Sequence, residues 1–121
     1  MSLYPEKITW NDFTKVEMRV GTIISVEKFE KAKNPAYKII MDFGEYGTRK
    51  TSAQVTKLYT PEKLIGKQVV AVVNFPPKQI ANIMSGCLIL GSVGEENEVT
   101  LIQPERKVEN GLRIGERKID L

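Results

Sequence analysis

The stretch RKTSAQVTKLYTPEKLIGKQVVAVVNFPP, residues 49–77, decides the fold. From Arg49 to Val55 the chain alternates: Lys50, Ser52 and Gln54 share one face, and Arg49, Thr51, Ala53 and Val55 share the other. A period of two is that of a half-buried strand. Thr60-Pro61-Glu62 then supplies a capping hydroxyl, a proline at the first helical position and an acid in the first turn. These start a one- or two-turn helix, which Gly66 closes. Gln68 to Phe75 is apolar on both faces, as a central strand is, and Pro76-Pro77 ends it because proline cannot donate to a ladder. The order is therefore strand, short helix, strand.

Upstream, Tyr37 to Phe43 alternates with Tyr37, Ile39, Met41 and Phe43 on the inward parity, and Gly44 to Gly47 turns the chain back. Met18 to Lys28 alternates as well. Met18, Val20, Ile24 and Val26 are expected on the inner side with Thr22 among them, and Arg19, Ser25 and Glu27 on the outer side. Gly21 inside this strand marks a bulge or a tight bend. A short helix precedes it, with Thr9 as N-cap, Asp12 in place of the usual Glu of a capping box, and Ile8 and Phe13 placed for a hydrophobic staple. Downstream, Lys78 and Gln79 lie in a loop, Cys87 to Val93 reads as one strand, and Gly94 to Asn97 turns the chain into Val99 to Gln103. Five core strands with a helix between the third and fourth predict an all-β, five-stranded, Greek-key oligonucleotide/oligosaccharide-binding (OB) barrel with terminal extensions. The inter-strand helix argues against an SH3-like barrel.

At 121 residues with 41% hydrophobic side chains, the chain suits one domain with one closed core, spanning about residues 13–114. The net charge of +3 is unevenly placed: ten basic and four acidic residues lie between Lys28 and Lys78. A basic middle steers polyanions. Met1 to Lys7 is mostly polar and the apolar runs are far shorter than a bilayer span, so a soluble, cytoplasmic protein with no membrane partner is expected.

The chemistry of catalysis is not legible. The chain has no histidine and one cysteine, which leaves no zinc set, no usual general base and no thiol–imidazole pair. Neither a phosphate-binding loop nor a dinucleotide fingerprint occurs. Gly44-Glu45-Tyr46-Gly47 matches the clamp loop of KH domains by letter, but it joins two strands and reads as a hairpin turn. Glu95, Glu96 and Glu98 lack the spacing of a calcium loop and read as a solvated turn. Cys87, inside an apolar run, reads as a core residue. The expectation is a binding protein without catalytic or metal site and without cofactor.

Three motifs carry a resemblance. Arg19-Val20-Gly21-Thr22-Ile23 opens the first strand in the manner of the tRNA-binding domains attached to some methionyl- and phenylalanyl-tRNA synthetases. Asn74-Phe75-Pro76-Pro77-Lys78 resembles their Asn-x-x-Pro-x-Lys segment, and Met84-Ser85-Gly86 their Ser-x-Gly turn. Ser52 to Glu62, together with Val70 to Pro77, is similar to the free-standing CsaA-type proteins described as export-related chaperones. The resemblance runs from about Phe13 to Ile114. It implies an OB barrel, affinity for tRNA, binding of unfolded polypeptide at a subunit junction, and homodimerisation through the terminal segments. Trp10, Phe13, Val108, Leu112 and Ile114 are the expected dimer contacts. The tail beyond Ile114 is longer than the resemblance leads one to expect.

The candidate RNA-binding residues are the basic Lys31, Lys33, Lys50, Lys57 and Lys78, on loops or on outward strand parity, Arg49, whose side depends on register, and the polar Ser52, Gln54, Asn74 and Ser85 on the same outward face or rim. Aromatic residues are only 7% and most have core parity, Phe75 included. A sparse stacking platform favours recognition of backbone and shape, as for folded RNA.

Overall fold

The computed structural model describes residues 6–117. The first helix, α1, spans Trp10–Thr14 and carries the expected box: Asp12 N–H donates to Thr9 Oγ1 (3.1 Å) and Thr9 N–H to Asp12 Oδ2 (3.0 Å). Strands β1 (Met18–Lys28), β2 (Tyr37–Asp42) and β3 (Thr48–Ala53) follow as an antiparallel meander, with a one-turn 3-10 segment at Gly44–Tyr46 making the β2–β3 turn. Helix α2 (Pro61–Leu64) starts on proline after Thr60, as the sequence predicts, but the Thr60 hydroxyl expected to cap it makes no capping hydrogen bond. Strand β4 (Gln68–Val72) pairs with the first half of β1. Then come β5 (Lys78–Ile80), β6 (Ile83–Ser85), β7 (Leu88–Ile89), β8 (Gly91–Val93) and β9 (Val99–Leu101).

The main sheet has the order β3-β2-β1-β4-β7 and curls until its two edges nearly meet. Gly86 N–H donates to Lys50 C=O (2.8 Å) across the seam, Thr51 Oγ1 donates to Cys87 C=O (2.8 Å), and Arg49 Nη1 donates to Val73 C=O (2.5 Å) and Gly86 C=O (3.0 Å). This is the expected five-stranded OB barrel. Its interior holds Ile23, Ile39, Met41, Phe43, Leu64, Val69 and Ala71, with Cys87 among them. Burial pushes the Cys87 thiol up from 9.0 to about 11, against the downward pull of the Arg49 charge and the Thr51 hydroxyl. At Gly21 an added Cβ would meet the Phe43 ring at 2.7 Å, so the missing side chain is what lets β1 pass this close to the core.

The structure corrects four expectations. A register shift lies between Ile23 and Ser25, so the inward parity changes there: Ile23 is fully buried and Ile24, expected inside, is 48% exposed. A bulge adds one residue to one strand, and every later side chain then changes face. Arg19, expected outside, is only 8% exposed. The segment after residue 108 covers it: Arg19 Nη1 donates to Gly111 C=O (2.7 Å), its Nε meets Glu17 Oε2 (2.7 Å), and the guanidinium lies 3.8 Å from the Tyr46 ring centre. The same segment pairs along β1, with Val20 N–H donating to Leu112 C=O (2.9 Å) and Ile114 N–H to Met18 C=O (2.9 Å). Residues 87–93 are two strands, because at Leu90 the N–H turns to Val70 C=O (2.9 Å) while the C=O accepts from Ile102 N–H (3.2 Å). The expected loop at Lys78 and Gln79 is a hairpin of two three-residue strands, β5 and β6.

Candidate nucleic-acid interface

Pairing lays two rows of side chains across the outside of β1, β2 and β3. Ser25 lies opposite Ile40 and Ile40 opposite Lys50; Glu27 lies opposite Lys38 and Lys38 opposite Ser52. Gln54 follows just beyond β3, exposed. Period-two alternation makes this face polar because Tyr37, Ile39, Met41, Thr51 and Ala53 take the inner parity. Lys38 was missed by sequence reasoning, although its alternation with Tyr37 and Ile39 gives the signal. Its ammonium reaches Glu27 at 3.9 Å, a partly exposed pair that solvent screens strongly.

Two concavities border the face. One, about 140 Å³, lies between Ser25, Ile40, Lys50 and Ile83. The other is a groove of about 730 Å³ between β3 and the β5–β6 hairpin, lined by Ser52, Phe75, Pro76, Pro77, Lys78, Ile80, Ser85 and Leu88, with Thr51 and Cys87 also reaching it. It is largely apolar and Lys78 is its one cation. Phe75, expected in the core, is 56% exposed here. The two prolines end β4's pairing and turn the chain outward, so the ring leaves the barrel.

The candidate residues divide by what their polar atoms touch. Lys31, Lys33, Lys50, Gln54 and Lys78 are exposed and Ser52 is half-buried on the outer face. Lys31 and Lys33 stand on the β1–β2 loop and line neither concavity. The other four have partners in the fold. Arg49 holds the barrel seam. Asn74 accepts from Glu17 N–H (3.0 Å) and donates to Lys15 C=O (2.6 Å), tying β4's end to the turn before β1. Ser85 Oγ meets Thr51 Oγ1 (3.2 Å) and donates to Cys87 C=O (3.2 Å), which fixes β6 against β3. Lys57 donates to Glu96 C=O in the β8–β9 turn.

With this geometry in view, the comparison with known families decides the kinship: residues 18–113 match the putative tRNA-binding domain. The chain belongs to that family. Over 107 residues it is 36% identical to the methionine–tRNA ligase of Methanococcoides burtonii, covering 88% of this chain and 16% of that protein. The chain thus spans about one sixth of the length of the curated relatives it matches. Among solved structures, the chaperone CsaA of Bacillus anthracis superposes with a TM-score of 0.87 at 45% identity, over 91% of this chain and all of that one. The CsaA chaperone protein of Picrophilus torridus gives 0.84, also at 45% identity, over 90% of this chain and all of that one. A domain of the tRNA-binding family on a CsaA-like barrel is therefore the frame for the face described above.

Among the described residues no group of histidine, cysteine, aspartate or glutamate is placed to hold a metal ion. No helix among them is long and apolar enough to cross a membrane.

Proposed function

We propose that this domain is a non-catalytic binding module for tRNA or another structured RNA, held on the outer face of β1–β3. The observation that carries the reading is the row geometry. It sets Lys50 and Lys38 with Ser52 on one open face, between the β1–β2 loop bearing Lys31 and Lys33 and the hairpin bearing Lys78. Ammonium groups in such a spread neutralise backbone phosphates, while Ser52 and Gln54 supply short-range hydrogen bonds that orient the strand. Arg49, Asn74 and Ser85 act by holding the face in shape, since their polar atoms are bonded to the protein itself. Phe75 offers one ring for a splayed base, and the scarcity of others favours backbone and shape.

A second reading has its own observation. The groove lined by Phe75, Pro76, Pro77, Ile80 and Leu88 is the kind of apolar surface that holds an extended polypeptide, and the likeness to CsaA chaperones supports it. The groove forms within a single chain, so this reading needs no subunit junction. Trp10 and Leu112 are exposed and Phe13, Val108 and Ile114 half-buried, which leaves apolar surface for homodimerisation; a monomer by sedimentation at micromolar concentration would remove it.

Fluorescence anisotropy of labelled bulk tRNA, titrated at low and physiological salt with an unfolded peptide as competitor, separates the readings. Affinity that falls at least tenfold over this salt range and ignores the peptide supports RNA as the ligand. Peptide capture indifferent to salt, without tRNA binding, assigns the groove as the primary site instead.

A further inference from the structure

A cleft of about 530 Å³ opens away from both concavities above and shares no lining residue with either. Two segments form it: the end of α2 and the turn after it, with Lys63 and Lys67, and the chain beyond β9, with Arg106 and Lys107. Four cations line it against a single acid, Glu105. That carboxylate meets Arg106 Nε at 2.9 Å, so it offsets one of the four. Lys63, Lys67 and Lys107 take part in none of the ion pairs among the described residues. Lys67 Nζ reaches the neutral Gln103 Oε1 (3.3 Å) across the cleft.

The cations are carried on pinned backbone. Gln68 Nε2 donates to Val108 C=O (2.7 Å) and to Asn110 Oδ1 (3.0 Å), and Gln68 Oε1 accepts from Val108 N–H (3.0 Å). Thr22 Oγ1 donates to the same Asn110 oxygen (2.7 Å), so the segment after β9 is fastened to β1 and β4. Four like charges around one cleft repel one another, and none of the four is part of the hydrophobic core. Pro104 apart, no apolar residue lines the cleft, and what sets it off from the groove is its concentration of cations. Such a lining suits recognition of repeated negative charge by long cationic donors.

We infer that this cleft is a second phosphate-binding site, which grips the backbone of a structured RNA at a point separate from the outer face of β1–β3. The inference rests on the RNA reading proposed above. A folded, stiff ligand meets two disjoint sites on a small barrel without the ordering cost a flexible acidic peptide incurs, which favours a structured RNA.

The test is the salt dependence of labelled bulk tRNA binding to the full chain and to a variant carrying Lys63→Gln, Lys67→Gln, Arg106→Gln and Lys107→Gln. Removing one cation that neutralises a phosphate lowers the slope of log affinity against log salt by about one. The variant is expected to fall short of wild type by about two to three units of slope and about a hundredfold in affinity at 0.1 M salt. An unchanged thermal midpoint shows that the variant is folded, and arginine at the three lysine positions restores the slope. If wild-type protein binds tRNA and the glutamine variant keeps the full slope, this site is refuted and the RNA reading stands. If wild-type protein binds no tRNA, both fall. If the variant loses only binding of polyglutamate, used as a second probe, the cleft belongs to an acidic polypeptide and the inference is overturned.

Discussion

The groove beside β3 and the cleft between α2 and the chain beyond β9 are both concave, yet their linings differ in kind. The groove gathers Phe75, two prolines, Ile80 and Leu88 around one lysine; the cleft gathers four cations around one acid. Each is held open by a polar clamp. Arg49, Thr51 and Ser85 fasten the groove's two sides, and Gln68 with Asn110 fastens the cleft's. A single small barrel thus presents an apolar surface and a cationic one without either neutralising the other. On the readings proposed above, a polypeptide would take the groove, and an RNA would take the neighbouring outer face together with the cleft.

The sharpest way to break this comparison is to release one clamp and watch both sites. Arg49→Ala leaves the Val73 and Gly86 carbonyls without their charged donor, and is expected to cost about 3 kcal/mol and about 10 °C of thermal midpoint. Below the new midpoint, peptide binding and tRNA binding at the outer face should both weaken, while the part of the tRNA salt slope carried by Lys63, Lys67, Arg106 and Lys107 should remain. A salt slope that collapses with the groove would show one continuous site.

Gln68→Ala is the mirror experiment and the smaller effect. It removes three hydrogen bonds at partly exposed positions, so about 1–2 kcal/mol is expected from denaturant unfolding. The freed segment should lower the tRNA salt slope and leave peptide capture unchanged; a loss of peptide capture would join the two regions again.

The smallest effect reports on the groove floor. Cys87 lines the groove, and its thiol is raised from 9.0 to about 11. A raised acid is neutral in the fold while the unfolded chain ionises. Its contribution is therefore intact below pH 9 and is lost as pH rises from 9 towards 11. About 1 kcal/mol should disappear between about pH 8.5 and pH 10, and Cys87→Ala should remove that loss. Alkylation of the thiol at about pH 8 should be slow in wild type, because burial keeps it neutral.

Much of this was legible in the chain. The Thr9–Asp12 cap, the helix starting at Pro61, a two-faced apolar β4 from Gln68 and the turn at Gly44 all follow from local preferences, although Thr60 does not cap and β4 ends at Val72, short of Phe75. The face bearing Lys50 and Ser52 followed from alternation. The errors lie where alternation stops being a guide. Ile24 changed sides because a bulge is an event between two strands, and one strand's letters carry no mark of it. Phe75 left the core because its position depends on where the hairpin after Pro77 settles, and type alone places phenylalanine inside.

By itself, then, the sequence determined the strand order, the inter-strand helix, the closed core and the polar face of β3, since these rest on periods of two to four residues and on capping chemistry. Tertiary structure alone decided that Arg19 is covered by the segment at Gly111, and that Arg49, Asn74 and Ser85 hold the fold together. It alone brought Lys63 and Lys67 to Arg106 and Lys107, which lie far along the chain beyond β9. Charge carries no period and the pairing of distant segments is set by barrel closure, so a shared cationic cleft exists only once the chain has folded back on itself.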